Sequence, residues 1–313
     1  MYKLILLFFL LMSLFVFSNA QQNLDELVKV EENEKEKVSA TFKSGQLINI
    51  QSTETVHKKE LNFRVDHRFG DIAGKSGGVK QFFGLDQSTD IRIGLDYGIS
   101  DNFIVGLARA KGAAELTQLY ETNFKYRFLQ QNVDNSIPVS IALFASATTS
   151  AMENSDDATA AHSFSTFSDR IAYVSQLIIA RKFSPAFSFV VIPTYVHQNY
   201  TVYGDQNSTF AVALGARMKV TKTMALVADY ALPLREKEKK EYIEELYGNK
   251  FYNALGVGLE LETGGHIFHL NFTNATAIQE SQYITETTST WSKGQFRWGF
   301  SISRRFSFEK NKD

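Results

Sequence analysis

The chain has 313 residues and a formal net charge of −1 at pH 7, so it lacks the basic surplus that nucleic-acid binding requires. It contains no cysteine, which excludes disulfides, thiolate metal sites and a lipid-anchored thiol. The 26 Phe and 13 Tyr beside only 4 Pro favour β structure with aromatic belts.

The first twenty residues have the features of an export signal. Lys3 precedes an apolar run from Leu4 to Phe17, and the small residues Ser18-Asn19-Ala20 follow it. The run is short for a spanning helix and its flanks are typical of a secretory signal peptide, so we predict cleavage after Ala20. A retained anchor is the alternative. No later apolar run reaches the length of a spanning helix, so a membrane location requires strands.

Residues 21–58 are predicted to form an N-terminal periplasmic segment. Gln21 to Val38 is dense in charge and poor in aromatic residues, which indicates a solvated tail or a short helix. Ser39 to Val56 has the pattern of one or two short strands around Ser44 and Gly45. The pattern leaves open whether these strands join a wall or lie inside it.

From Glu60 onward, apolar and polar residues alternate in about twelve segments of strand length. The last segment, Gln295 to Phe308, has one parity that is mostly aromatic and another that contains Arg297 and Arg305. A period of two indicates a strand, and an aromatic face opposite a charged one is typical of a barrel wall in lipid. A long edge strand of a soluble sandwich has the same pattern.

The lengths of the connections favour the barrel. Long connections at 71–89, 149–167, 235–249 and 274–294 tend to alternate with shorter ones at 99–102, 183–186, 220–222 and 263–265. Outer-membrane barrels sort their loops in this way, whereas a sandwich has no reason to. The predicted fold is therefore all-β: a closed antiparallel transmembrane β-barrel of about 12 strands over residues 59–308, followed by a tail at 309–313. Within the long connection at 235–249, Arg235 to Tyr247 has the i, i+4 charge spacing of a helix, although a solvated loop is the commoner interpretation.

Five motifs carry a family resemblance. They are HRFG at 67–70, FFGLD at 82–86, LDYGISD at 95–101, GGHIFHLNFTNA at 264–275 and FRWGFSISRRF at 296–306. In order and spacing they resemble an uncharacterised group of exported β-barrel proteins, domain of unknown function family five-seven-seven-seven. The resemblance implies a barrel in the outer membrane of a Gram-negative bacterium and carries no activity. The chain departs from such barrels at its end, where Glu309 to Asp313 trail beyond the aromatic Phe308 that insertion machinery would recognise.

The polar parity collects charges of both signs that would point into the lumen of a closed barrel. These candidates are Arg64, Asp66, Arg68, Arg92, Asp96, Glu121, Lys125, Arg127, Arg217, Asp229 and Arg305. Two interpretations remain open. The charges either form the constriction of a solute pathway or form a salt-bridged plug that holds a narrow barrel shut.

No residue pattern predicts a cofactor, a metal site or catalysis. His266 and His269 are three apart, which places them on opposite faces of a strand. Ser175, Ser188 and Ser301 lie in predicted strands without a nucleophile elbow or a spacing that indicates a His partner. Gly256 and Gly258 are interpreted as glycines that permit a strand to bend.

The prediction is an outer-membrane β-barrel, not an enzyme, that serves as a narrow porin-like channel or as a structural barrel. The alternatives are a membrane-embedded enzyme that modifies lipid or glycan, and a soluble exported β-sandwich. The expected partners are outer-membrane lipids and lipopolysaccharide, the barrel-insertion machinery and small solutes, with no nucleic acid.

Overall fold

The computed structural model describes residues 35–248 and 250–308. The predicted signal peptide, residues 21–34 and the tail at 309–313 lie outside the described residues. One compact unit spans Val38–Asp313.

Twelve strands form one closed antiparallel ring in which every strand pairs with its neighbours in sequence and β1 pairs with β12. The strands are β1 Glu60–Asp71, β2 Ser88–Ser100, β3 Phe103–Ala110, β4 Leu119–Leu129, β5 Ser140–Ser150, β6 Ile171–Lys182, β7 Phe187–Gln198, β8 Ser208–Lys219, β9 Met224–Leu234, β10 Ala254–Thr263, β11 His266–Thr273 and β12 Arg297–Ser307. The predicted closed barrel is confirmed. Among the described residues, no helix has both the length and the apolar character needed to cross a membrane.

The two faces of the wall have opposite chemistry, as the alternation predicts. On β12, Phe300 is 40% exposed and Phe306 is 39% exposed. Ser301, which has the opposite parity on the same strand, is 3% exposed. Arg305 shares the parity of the buried Ser301 and Ser303. The outer face of the ring is therefore apolar and suits contact with acyl chains, and the inner face carries most of the charge.

The two rims differ in the length of their connections. At one rim, which we call the short-turn rim, the strands are joined through residues 101–102, 130–139, 183–186, 220–223 and 264–265. At the opposite rim, the long-loop rim, they are joined through 72–87, 111–118, 151–170, 199–207, 235–253 and 274–296. Helix α1, Lys237–Tyr247, lies in the fifth of these long loops, where the sequence favours a solvated loop over a helix. It carries the i, i+4 ion pairs Lys237–Glu241 and Lys240–Glu244 that the charge spacing allows.

Two segments of the chain fill the lumen. The inner hairpin, residues 38–57, enters from the short-turn rim, and the inner loop, residues 274–290, descends from the long-loop rim and includes helix α2, Glu280–Tyr283. The sequence leaves open whether the strands around Ser44 and Gly45 join the wall or lie inside it, and the barrel encloses most of the hairpin. A periplasmic location for residues 21–58 stays a prediction. Phe42 is 1% exposed, Leu47 is 2% exposed and Ile50 is fully buried, so the lumen removes their apolar surface from water.

Candidate functional site: a lumen closed from both rims

The inner hairpin begins and ends at the same rim. At its start, the Val38 amide donates to the Gln131 carbonyl at 2.8 Å, on the turn between β4 and β5. At its end, the Lys58 amide donates to Asp101 Oδ1 at 2.9 Å, on the turn between β2 and β3. The Leu47 amide donates to the Ile50 carbonyl at 2.8 Å and closes the tip. The segment is therefore a re-entrant hairpin whose tip lies deep in the barrel.

A single carboxylate on β9 holds the tip. Asp229 Oδ2 accepts the backbone amides of Ile48 at 3.0 Å, Asn49 at 2.6 Å and Ile50 at 3.4 Å. Its other oxygen accepts the Asn49 side-chain amide at 2.5 Å. Hydrogen bonds to an ionised group are stronger than neutral ones, so this residue is the main polar anchor of the tip.

Two glycines flank Asp229 and make room for the tip. The register pairs Asp229 with Gly215 on β8 and with Gly256 on β10. A Cβ atom on Gly215 would lie 2.5 Å from Ile50 Cδ1, and one on Gly256 would lie 2.7 Å from Asn49 Nδ2. Gly256 thus permits close approach of the hairpin to the wall, a more specific role than the strand bending that its sequence suggests.

Basic side chains of the wall bind the two arms of the hairpin. Arg64 on β1 donates to Ser44 Oγ at 2.9 Å and to the carbonyls of Gln46 and Leu47, both at 3.3 Å. Lys125 on β4 donates to the Gly45 carbonyl at 2.8 Å and to the Glu54 carbonyl at 3.3 Å. Since backbone carbonyls buried away from water need donors, these two cations add donors to carbonyls on both arms of the hairpin.

The inner loop meets the hairpin inside the barrel. Gln51 Nε2 donates to Glu280 Oε1 at 2.7 Å, and Arg68 donates both to Asn49 Oδ1 and to the carbonyls of Ala275 and Ala277. Burial and the nearby negative charge of Glu121 raise the pKa of Glu280 to about 7. The plug formed by the hairpin and the inner loop is therefore one connected unit within the lumen.

A belt of polar residues crosses five neighbouring strands at one level. The register places Glu260, His269, Ser301, Asp66 and Arg92 directly opposite one another across β10, β11, β12, β1 and β2. Their pairing is close, with His269 Nδ1 at 3.0 Å from Ser301 Oγ and His269 Nε2 at 3.2 Å from Glu260 Oε2. Asp66 Oδ2 lies 3.9 Å from Arg92 Nη1, so charges of opposite sign are side by side in the belt.

This belt gives Ser301 the His partner that its sequence spacing does not indicate. The arrangement nevertheless differs from that of a hydrolytic triad, because Ser301 Oγ also accepts a hydrogen bond from Arg64 Nη2 at 3.1 Å. Ser301 is 3% exposed and His269 is 1% exposed beneath the hairpin, so neither is accessible to a lipid. Ser301, His269 and Arg64 form a structural hydrogen-bond network in the closed barrel.

The lumen wall is apolar on the opposite side. We call β5–β8 the apolar sector, and β10–β12 together with β1–β4 the charged sector; β9 with Asp229 lies between them. The apolar sector packs one core cluster with the plug residues Phe42, Leu47, Ile50, Tyr283 and Ile284. Its wall residues in this cluster are Ala142, Phe144, Val174, Ile178, Ala180, Val190, Ile192, Val196, Ala211 and Ala213.

The structure places the eleven sequence candidates on the inner parity of the wall. Arg64, Arg68, Lys125 and Asp229 contact the plug, as described above. The others mainly pair within the wall or at the short-turn rim: Asp66 with Arg64 and Arg92, Arg92 with Glu121, Asp96 with Asn62, Arg217 with Glu260, Arg127 with Asn102, and Arg305 with the Lys43 carbonyl at the exposed rim. A role for them in solute passage stays a prediction.

The eleven lumen-facing candidates omit several inward polar residues. Asp90 accepts the Ile278 amide at 2.8 Å, and Arg297 donates to Asp71 at 2.7 Å. The alternation places both on the polar parity of their strands, although neither is among the candidates. Asn49 and Glu280 could not be found in this way, because they lie outside the strands. No group of three His, Asp or Glu residues in 35–248 and 250–308 is placed to hold a metal ion.

A closed ring of twelve antiparallel strands with an apolar outer face defines a membrane-bound β-barrel. The sequence profile of the family described as "Membrane bound beta barrel domain (DUF5777)" matches residues 42–306, which include most of the inner hairpin. The chain belongs to this family. No curated protein matches it.

Among solved structures, the NanC porin is 8% identical, with a TM-score of 0.46 over 80% of this chain and 100% of that one. The KdgM porin is 7% identical, with a TM-score of 0.44 over 80% and 99%. An outer membrane channel from Pseudomonas putida F1 is 12% identical, with a TM-score of 0.44 over 81% and 98%. These similarities are weak.

Proposed function

We propose that the protein is an exported outer-membrane barrel that forms a narrow conduit for small solutes and is held closed by its own plug. Opening consists of withdrawal of the inner hairpin through the short-turn rim, which leaves the charged sector as the wall of the pathway. On this proposal the barrel is a gated porin-like channel, and it is not an enzyme.

The re-entrant path of the hairpin is the observation that carries this proposal. Because both ends lie at one rim, residues 41–56 can leave the lumen as a loop without threading a chain end through the barrel. The contacts with Arg64, Lys125 and Asp229 are hydrogen bonds to groups that water can solvate once the lumen is open. Burial of Phe42, Leu47 and Ile50 stabilises the closed state, by roughly 1.5–3 kcal/mol for each side chain.

The location follows from the same geometry. Barrels of the outer membrane place short turns on the periplasmic side and long loops outside, so the hairpin enters from the periplasm. This assignment requires residues 1–20 to act as a cleaved signal peptide and residues 59–308 to be inserted by the barrel-insertion machinery. The apolar outer face would then contact lipid and lipopolysaccharide.

Planar-bilayer recording tests the proposal. Purified wild-type protein should be electrically silent for most of the recording, whereas a variant with residues 44–53 replaced by a short Gly-Ser link should give discrete conductance steps. A matched control replaces residues 237–247 of α1 by the same link, since this segment lies outside the lumen. Heat-modifiable gel mobility should show that each variant is a folded barrel. A folded hairpin variant that stays silent would contradict the proposal.

A permanently closed structural barrel is the second candidate, and the apolar sector favours it. Ala, Val and Ile side chains suit a packed core better than the wall of a water-filled pathway. A cysteine at Thr53 separates the two candidates, because Thr53 is fully buried and its hydroxyl has no hydrogen-bond partner to lose. In isolated membranes a gated barrel should label slowly at Thr53→Cys with a maleimide, while a permanently closed one should not label. Lys58→Cys, at the exposed base of the hairpin, is the positive control.

A further inference from the structure

Connections at the long-loop rim converge around a cavity above the plug. Its volume is about 390 Å³, and it is lined by residues of five long loops, among them Leu116, His162, Tyr200, Tyr247 and Glu286. This volume lies within the range of small-molecule sites. Glu286 belongs to the inner loop, so the floor of the cavity is continuous with the plug.

The cavity is negatively charged. Four carboxylates line it, namely Glu115, Asp157, Asp205 and Glu286, and its described lining contains neither Lys nor Arg. Arg235 stands beside it and neutralises Asp205 through an ion pair of 2.6 Å. The remaining acids face only His162 as a group that can become cationic, so the lining attracts positive charge.

Aromatic and aliphatic side chains form the walls. Tyr200, Tyr247 and Phe251 contribute rings, and Val202 and Ile243 contribute aliphatic surface. The outer side of this wall already makes one cation–π contact, since the Arg235 guanidinium lies 3.8 Å from the centre of the Phe251 ring. A mixed wall of rings and carboxylates suits a ligand with an apolar body and a cationic head.

Glu286 is held in position before any ligand arrives. Gln198 Nε2 donates to its Oε1 at 2.8 Å, and the Glu115 amide donates to its Oε2 at 3.0 Å. Burial and the charge of Glu115 raise the pKa of Glu286 to about 7, against the opposing effect of Arg235. The carboxyl group is therefore poised to ionise when a cation binds beside it. The absence of a three-residue metal cluster among the described residues favours an organic cation over a metal ion.

We propose that this cavity binds a small organic cation, with an amine or guanidine head at Glu286 and an apolar body against the tyrosine and phenylalanine rings. The further step, that this cation is also the solute of the conduit, rests on the function proposed above. Binding of the cation to the closed barrel does not depend on that function. The inner loop would then sense an occupied cavity directly, because it supplies both Glu286 and the Glu280 contact with the hairpin.

Titration calorimetry on the full-length barrel in detergent tests the proposal with three molecules of one shape: phenethylamine, 2-phenylethanol and phenylacetate. The protonated amine should bind at least about tenfold more tightly than the alcohol, which corresponds to one charge-assisted contact. Phenylacetate should not bind. Affinity for the amine should rise by about tenfold from pH 6 to pH 8, because the ionised fraction of a carboxyl group with a pKa near 7 rises by that factor.

Variants locate the contact. Glu286→Gln should weaken amine binding by about tenfold or more and reduce its pH dependence, whereas Glu153→Gln, an exposed acid on the same rim outside the cavity, should change neither. Tyr247→Ala on the exposed face of α1 should weaken both amine and alcohol by a few-fold without risk to the barrel. Equal binding of amine and alcohol, or unchanged binding in Glu286→Gln, would overturn the site. Since binding is measured on the closed protein, failure of the bilayer test would leave this result intact.

Discussion

The two sectors of the lumen wall hold the same plug by different means. The charged sector and Asp229 meet it with directed hydrogen bonds, such as the contacts of Arg64 and Lys125 to hairpin carbonyls. The apolar sector meets it with packed side chains around Ile50 and Tyr283. Hydrogen bonds specify one register of the hairpin, whereas burial of apolar surface has no direction.

This difference explains how a lumen can be closed tightly and still be opened. When the hairpin leaves, the charged sector exchanges protein hydrogen bonds for bonds to water, at a modest net cost. The apolar sector instead becomes exposed, and its cost grows with the area uncovered. We infer that packing in the apolar sector supplies most of the net stabilisation of the closed state. The polar contacts position the hairpin, and they become costly only when one partner is removed and the other stays buried. Labelling of Thr53→Cys, which reports opening of the lumen, tests this division.

Replacing Asp229 should have the largest effect. Asp229→Ala leaves three tip amides buried without an acceptor, which we expect to destabilise the closed state by about 3–5 kcal/mol. Labelling of Thr53→Cys should accelerate at least about 100-fold, and Asp229→Asn should give an intermediate rate because it keeps one acceptor oxygen. Asp156→Ala, the same change at an exposed loop position, is the matched control. An unchanged labelling rate in Asp229→Ala would show that the tip is held by packing alone.

The pH dependence of closure should be the next largest effect. The pKa of Glu280 rises to about 7 from an ordinary value of 4.5, so the closed state binds this proton more tightly than an open state in which water reaches the carboxyl group. The closed state is therefore most stable relative to the open state below about pH 4.5. Its stability falls as the pH rises to 7 and stays at this lower value at higher pH. The full difference is on the order of 3 kcal/mol.

Labelling of Thr53→Cys should accordingly increase from pH 5 to pH 8 after division by the rate of Lys58→Cys, which corrects for the chemistry of the thiol. Glu280→Gln should flatten this profile, because it keeps the hydrogen bond with Gln51 without a titrating proton. A profile that falls with rising pH would mean that the ionised carboxylate stabilises closure through the charged sector. That result would reverse the role assigned to Glu280.

The wall of the barrel could be predicted from the sequence because it obeys a local rule. Each strand alternates two chemistries with a period of two, and the register of neighbouring strands follows from that alternation. The parity of Arg64, Lys125 and Asp229 therefore placed them on the inner face. The rule applies less clearly to β5–β8, where Ala, Val and Ile replace polar residues on the inner face. Apolar residues on the inner parity of these strands therefore indicate, in the sequence, that the lumen is filled.

The plug could not be predicted because no local pattern encodes where a segment outside the strands will pack. Residues 39–56 look like short strands, and their position depends on partners that lie far along the chain, such as Asp229 for Asn49 and Glu280 for Gln51. The most specific signal was present but unrecognised. Gly215, Asp229 and Gly256 become one recess only when the register across β8, β9 and β10 is known.

The smallest effect should come from adding a methyl group at Gly215, where the recess meets the apolar sector. A Cβ atom at Gly215 would lie 2.5 Å from Ile50 Cδ1, so Gly215→Ala must displace the packed Ile50 side chain and should cost about 1–3 kcal/mol. Thr53→Cys labelling should then accelerate by roughly five- to 150-fold. Ile50→Val removes the Cδ1 atom, and the double variant Gly215→Ala/Ile50→Val should label more slowly than Gly215→Ala alone. Two strictly additive effects in this double-mutant cycle would mean that Gly215 and Ile50 are not in contact, and that the apolar sector does not determine how firmly the hairpin is seated.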